Sequence, residues 1–117
     1  MFSIPEYIVE PFREKIEIAL NELVKHAEEI CIDSVWLFGS LARNDYRYNS
    51  DIDLLVMVRE NPRRASRKIE DLDIDDINFP SIDFVVKTPE SLESDVYLFN
   101  DYVKRDRILL WRYKNEF

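Results

Sequence analysis

The chain has 117 residues, and its 16 basic and 24 acidic side chains give a formal net charge of −8. This length predicts a single domain over residues 1–117 with its own core, and the acidic balance argues against direct binding of nucleic acid. One cysteine, Cys31, excludes an intrachain disulfide and a metal–thiolate cluster, and with no run of roughly 20 apolar residues the expected location is the cytoplasm, not a membrane.

Apolar residues at alternating helical and strand spacings predict an α/β domain, with a small mixed sheet and flanking helices. The predicted elements are a helix over 11–30, a strand over 35–38, a short helix from Leu41, a strand over 52–58, a helix from Pro62, a strand over 82–86, a helix over about 94–105 and an edge strand over 108–111.

Three local features refine this prediction. Asp33-Ser34 should end the first helix, and Ser40 should cap the short helix that begins at Leu41. The run over 52–58 is apolar on both faces, which is typical of a central strand.

The last helix should face Val96, Phe99 and Val103 inward. Leu98 and Tyr102 fall on a neighbouring face, so this helix is apolar over more than one side. These two residues are candidates for contact with a partner protein.

The one glycine of the chain, Gly39, is followed directly by the hydroxyl of Ser40. A glycine lets the backbone approach a phosphate closely, and Ser40 can donate hydrogen bonds from its hydroxyl and its N–H. After ten intervening residues, Asp51 and Asp53 begin the longest apolar run. Because side chains alternate along a strand, these carboxylates point the same way, about 7 Å apart.

Two carboxylates this close repel each other unless they share a divalent cation. Asp83 also opens an apolar strand, so three carboxylates meet if its strand lies beside that of Asp51 and Asp53. Oxygen ligands suit Mg²⁺, or Mn²⁺ as the second choice, and two such ions would assist in-line attack on a phosphoryl group. The residues therefore predict nucleotidyl transfer. The pattern Gly-x-x-x-x-Gly-Lys of Walker-type NTPases is absent.

Gly39-Ser40, ten residues and then Asp51-Ile52-Asp53 match the pattern G-S-x10-D-x-D. The fuller segment G-S-L-A-R-N-D-Y-R-Y-N-S-D-I-D-L-L resembles the minimal nucleotidyltransferases of the polymerase-beta-like superfamily. One departure is Asn44, where members usually carry Gly. Asn tolerates left-handed conformations, so the turn is expected to persist.

The resemblance implies the polymerase-beta-like nucleotidyltransferase fold, with ATP as substrate and two Mg²⁺ ions. It assigns metal binding and catalysis to Asp51, Asp53 and Asp83. It assigns phosphate binding to Gly39 and Ser40. Arg43 is placed where it could reach the triphosphate, and a structural role at the surface fits this arginine equally well.

Members similar to this chain are commonly antitoxins of the MntA/HepT type. They transfer AMP from ATP to a tyrosine of a HEPN-domain ribonuclease toxin encoded beside them. The resemblance thus implies a HEPN-type toxin as partner and a hetero-oligomer with it. Nearly the whole chain is needed for the catalytic fold, so the partner is expected to supply the second wall of the cleft. Further candidate contacts form a basic cluster, Arg63, Arg64, Arg67 and Lys68.

Two other functions remain open at this stage. The chain could be a binding module that neutralises a toxin by covering it, without catalysis. It could also transfer a nucleotide to a small molecule.

Overall fold

The computed structural model describes residues 2–94 and 98–113. In chain order the elements are α1 (Phe12–Lys25), α2 (Ala27–Ile30), β1 (Ile32–Phe38), α3 (Ser40–Arg43), β2 (Ile52–Val58), α4 (Pro62–Glu70), β3 (Ile82–Lys87), α5 (Pro89–Glu93), α6 (Leu98–Asp106) and β4 (Ile108–Arg112). Across these two described segments, no helix combines the length and apolarity needed to span a membrane.

The strands of the described residues form one four-stranded sheet in the order β3-β2-β1-β4. Strand β2 pairs parallel with β3, and β1 pairs antiparallel with both β2 and β4. Every residue of β2 is buried except Asp53, which is half-buried. The predicted α/β class with a mixed sheet is confirmed, as are the central position of β2 and the edge position of β4.

Core side chains divide between the two faces of the sheet. The larger cluster packs α1, α2, α3 and α4 against one face, which includes Ile52 and Leu54 of β2. The smaller cluster consists of Phe38, Leu55, Met57, Leu92 and Val103. Since Leu92 belongs to α5 and Val103 to α6, these two helices cover the second face. The odd-numbered residues of β2, including Asp53, point to this second face.

The predicted helix over 11–30 is interrupted at His26, where φ −111° and ψ 19° separate α1 from α2. Cys31 then ends α2 in a left-handed conformation, with φ 65°. The apolar periodicity was continuous across this break, so it gave no signal for it.

Strand β1 begins at Ile32, so the prediction that Asp33-Ser34 separates helix from strand is wrong. Ser34 is buried inside the strand because its hydroxyl is satisfied there. It donates to Asp33 Oδ2 at 3.0 Å and accepts from Trp36 Nε1 at 2.8 Å. A buried polar group with both partners costs little.

Helix α5 was not predicted, because the sequence analysis placed no element between the strand over 82–86 and the helix over about 94–105. Thr88 accepts a hydrogen bond from the Ser91 N–H, and the Ser91 hydroxyl accepts one from the Thr88 N–H. This reciprocal cap with proline at the first position is a helix start. The sequence T-P-x-S was the available signal.

In α6, Val103 is buried as predicted, but the inward orientation predicted for Phe99 is wrong, since Phe99 is 43% exposed. Tyr102 is 48% exposed, as expected for a residue on a neighbouring face. Val96 and the side chain of Leu98 lie outside what the structure describes.

Candidate active site

The three predicted carboxylates meet at one end of the sheet. Asp53 and Asp83 are register partners in the parallel β2–β3 pair, so their side chains emerge side by side from the same face. Asp51 lies two residues before Asp53, immediately ahead of β2. Asp51 and Asp83 are exposed, whereas Asp53 is half-buried. The sequence condition for a shared site, adjacency of the two strands, is therefore met.

Gly39 lies directly against Asp53. It follows β1, whose last residue, Phe38, is the register partner of Asp53. A Cβ atom at position 39 would lie 3.1 Å from the Cγ and 3.4 Å from the Cβ of Asp53. The backbone of Gly39 also has φ 78° and ψ −155°, a conformation essentially restricted to glycine. The glycine thus leaves the space that the Asp53 carboxylate occupies.

Burial raises the pKa of Asp53 from 3.8 to about 6. The negative charges of Asp83 and Asp51 add to this increase, and the positive charge of Arg43 opposes it. Asp53 therefore lies within the electrostatic field of all three residues. This pattern, a partly desolvated carboxylate between two others, is typical of a site that holds a cation.

Ser81 fixes Asp51 and was missed by the sequence analysis. Its hydroxyl donates to Asp51 Oδ1 at 2.7 Å, and its carbonyl accepts from the Ile52 N–H at 2.9 Å. The parallel register places Ser81-Ile82-Asp83 beside Asp51-Ile52-Asp53. The repeated Ile-Asp pair was the available signal for this match.

The predicted phosphate loop is built from Gly39 and α3. Ser40 is the first residue of this helix and Gly39 precedes it, so the prediction of Ser40 as a cap ahead of Leu41 is wrong by one position. Asn44 ends the helix in the left-handed conformation, with φ 60°, which confirms that asparagine can replace the usual glycine there.

Two tyrosines hold this loop in place. The Tyr7 hydroxyl donates to the Ala42 carbonyl at 2.7 Å, and the Tyr46 hydroxyl donates to the Tyr7 carbonyl at 2.9 Å. The first bond links the loop, and the second links the residues just after it, to the segment before α1. The loop is therefore fixed by contacts distant in sequence.

Arg43 is bound by two carboxylates. Its Nε donates to Asp45 at 3.2 Å and its Nη1 donates to Asp106 at 3.1 Å. These hydrogen bonds raise the pKa of Arg43, so the guanidinium stays charged. It lies close enough to Asp53 to affect that carboxylate, and its Nη1 points to Asp106 of α6. No sequence signal linked Arg43 to Asp106, 63 residues away.

The basic cluster on α4 lies elsewhere. Arg63, Arg64 and Arg67 are exposed, but Ala65 and Ile69 pack α4 into the larger core cluster. This helix therefore covers the sheet face opposite to Asp53. Its basic side chains lie on that side of the sheet, away from the Asp53 carboxylate.

Comparison with known proteins supports the same chemistry. The sequence model of the nucleotidyltransferase domain family matches residues 10–110. This chain belongs to the nucleotidyltransferase domain family. The match includes the predicted phosphate loop and all three carboxylates. It confirms the superfamily that the sequence pattern indicated.

Individual relatives of this nucleotidyltransferase are more distant. A protein of Methanocaldococcus jannaschii, MJ0141, named as a candidate protein adenylyltransferase, is 38% identical over 55 residues. That alignment covers 47% of this chain and 48% of the relative, so the match spans about half the length of the curated protein.

Two solved structures resemble the backbone fold. One is a candidate nucleotidyltransferase of Sulfolobus solfataricus, with 21% identity, a TM-score of 0.47, and coverage of 84% of this chain and 86% of that one. The other is a toxin–antitoxin with AMP-PNP, with 22% identity, a TM-score of 0.47, and coverage of 80% and 73%.

The candidate site is suited to a metal ion by its donor chemistry. Asp51, Asp53 and Asp83 offer only oxygen ligands, the set that Mg²⁺ prefers. Within residues 2–94 and 98–113, however, no three acidic, histidine or cysteine side chains already converge as a closed ligand group. Burial is the main cause of the raised pKa of Asp53, and the charges of Asp83 and Asp51 add to it. Asp51 and Asp83 are exposed, so their carboxylates are free to rotate toward a shared ion.

Proposed function

We propose that this domain is a Mg²⁺-dependent protein adenylyltransferase that transfers AMP from ATP to a tyrosine of a partner HEPN-type ribonuclease toxin, and so neutralises it. The observation that carries the proposal is the contact of Gly39 with Asp53, which is itself the register partner of Asp83. It joins the predicted phosphate loop to the predicted metal ligands in one site.

In the proposed reaction, the tyrosine hydroxyl oxygen forms a bond to the α-phosphorus of ATP. The bond from that phosphorus to the bridging oxygen of pyrophosphate breaks, pyrophosphate leaves, and the hydroxyl proton passes to solvent. Bound Mg²⁺ would neutralise the charge that develops on the phosphate oxygens.

The chain's own residues would bind and orient the substrates. Asp51, Asp53 and Asp83 would hold the ions, and Ser81 would fix Asp51. The backbone at Gly39 and the N–H and hydroxyl of Ser40 would bind phosphate oxygens. Arg43 would exchange one of its carboxylate partners for a phosphate oxygen, a bond of similar charge-assisted strength.

A protein acceptor is supported by two observations. The M. jannaschii relative is named as a candidate protein adenylyltransferase. In addition, the exposure of Asp51 and Asp83 leaves the carboxylate end of the sheet accessible to a large partner. A reaction that consumes ATP and depends on a protein partner suits the cytoplasm.

The direct test combines this protein with ATP, Mg²⁺ and the HEPN-type ribonuclease encoded beside it, followed by intact-mass measurement. The proposal predicts that the ribonuclease gains one or more AMP units, on a tyrosine, and loses activity. With the Asp51→Asn/Asp53→Asn variant, the mass and the activity of the ribonuclease should both stay unchanged. If this variant still inhibits the ribonuclease fully, inhibition by binding is the correct function. If no AMP appears on either protein, the proposed transfer is wrong.

A further inference from the structure

An aromatic pocket adjoins the predicted phosphate loop, between the end of β1 and α6. Its volume is about 330 Å³, within the roughly 300–1,000 Å³ range of small-molecule pockets. The residues that line it are Phe38, Gly39, Arg43, Phe99, Tyr102, Val103, Arg105 and Asp106. Two of them, Gly39 and Arg43, belong to the predicted phosphate loop.

The strand register determines where this pocket lies relative to the carboxylates. Asp83, Asp53 and Phe38 are consecutive register partners on β3, β2 and β1, so they form one row across the same face of the sheet. Neighbouring strands are about 4.8 Å apart. Phe38, the aromatic residue of this row, therefore lies one strand away from Asp53.

Helix α6 completes the pocket with exposed aromatic rings. Phe99 packs edge-on against Phe38, with ring centroids 5.9 Å apart. Tyr102 is 48% exposed, and the Arg105 guanidinium lies 5.0 Å from its ring centroid. Exposed aromatic faces beside an arginine are a stacking surface for planar groups.

The polar wall of the pocket is ordered. Asp106 accepts hydrogen bonds from Arg43 at 3.1 Å and from Arg105 at 2.9 Å, and its side chain is 9% exposed. The nearly buried carboxylate thus connects the phosphate loop with the arginine that covers Tyr102. A ligand with a phosphate chain at Arg43 and a planar group at Tyr102 matches this arrangement.

We propose that this aromatic pocket binds the nucleobase of the nucleoside triphosphate, which stacks on Phe99 and Tyr102 while its phosphates lie at Gly39 and Arg43. The inference rests on the proposed function, because it concerns the same nucleotide. It adds a base-binding site to a chain whose sequence pattern accounts only for the phosphates and the metal.

The test compares two ligands by calorimetry in the presence of Mg²⁺: AMP-PNP, which has a base, and tripolyphosphate, which has none. Tyr102→Ala and Phe99→Leu should each weaken AMP-PNP binding at least about fivefold, the size of one stacking interaction, and leave tripolyphosphate binding unchanged. Phe99→Leu retains an apolar contact with Phe38. Unchanged melting temperatures would show that the variants fold.

Two control variants distinguish stacking from other effects. Tyr102→Phe retains the ring, so it should bind AMP-PNP like the wild type. Tyr48→Ala removes a tyrosine that is 84% exposed in a different aromatic cavity, lined also by Val9, Phe12, Tyr46 and Phe79, and should have no effect.

Each other outcome overturns the inference in a recognisable way. Equal weakening for both ligands would indicate a structural role for the rings. Unchanged AMP-PNP affinity combined with slower AMP transfer would assign the pocket to the acceptor. If the variants change neither binding nor transfer, only the base-binding inference fails. If the wild type binds neither ligand, the proposed function fails with it.

Discussion

Gly39 and Asp53 are packed so closely that any side chain at position 39 would displace the carboxylate. The added Cβ would lie 3.1 Å from Asp53 Cγ, and the combination of φ 78° and ψ −155° at Gly39 is essentially restricted to glycine. Two independent constraints, steric and conformational, thus act at one position. The location of Asp53 depends on this glycine.

Gly39→Ala should therefore impair both folding and activity. We expect the free energy of unfolding to fall by about 1–3 kcal/mol because of the strained backbone, measured by urea denaturation. AMP transfer should fall about 100-fold, since small displacements of reacting groups have effects of this size.

A double-mutant cycle separates the two constraints. In an Asp53→Ala background, the clash is absent, so Gly39→Ala should destabilise the protein less than it does in the wild type. An equal loss in both backgrounds would contradict a steric contribution from Asp53.

The pKa of Asp53 predicts a pH-dependent stability. A pKa raised from 3.8 to about 6 means that the folded protein binds this proton more tightly than the unfolded chain. Stability is therefore fully present below pH 4 and declines as the pH rises through about 6. Asp53→Asn removes the charge and should be more stable than the wild type at pH 7.5, by about 1–2 kcal/mol after allowance for solvent screening of a half-buried group.

The difference between Asp53→Asn and the wild type is the diagnostic quantity. It should grow between pH 4 and 6 in metal-free buffer and remain constant above that range. If the free energies of unfolding of the two proteins, measured by urea denaturation at each pH, differ by the same amount throughout, the pKa of Asp53 is not raised by folding.

Ser81→Ala tests the hydrogen bond that fixes Asp51. Loss of a group that orients a metal ligand typically weakens metal affinity 10- to 100-fold, so we expect about a tenfold weaker Mg²⁺ affinity with little change in melting temperature. Ser94→Ala, at an exposed serine after α5, is the matched control. An unchanged Mg²⁺ affinity in Ser81→Ala would remove Ser81 from the site.

Asp83→Asn tests the third carboxylate, which no surrounding motif identifies. Removal of one of three metal ligands should reduce AMP transfer at least about 100-fold and leave the fold intact, because Asp83 is exposed. Asp71→Asn changes another exposed carboxylate, after α4, and should be fully active. Comparable activities of the two variants would show that Asp83 has no metal-binding role.

The sequence predicted the positions of the three carboxylates better than those of the residues around them. Asp51, Asp53 and Asp83 were predicted to meet if their two strands lie side by side, because each carboxylate lies at the start of an apolar run. The parallel pairing of β2 with β3 meets that condition. The partner of Arg43 could not be predicted, since Asp106 is distant in sequence and no local pattern connects them. Phe99 was assigned to the core because its spacing from Val103 is helical, but it lies at the rim of a pocket that only the tertiary packing creates.

The most direct test of nucleotidyl transfer uses ATP labelled on either the α- or the γ-phosphorus, together with Mg²⁺ and the proposed partner, a HEPN-type ribonuclease. The α-label should be transferred to a tyrosine of the ribonuclease, and the γ-label should appear only in released pyrophosphate. Asp53→Asn should abolish both the transfer of the α-label and the release of labelled pyrophosphate. Transfer of the γ-label to the ribonuclease, or an undiminished α-label with Asp53→Asn, would contradict the assignment of these carboxylates to AMP transfer.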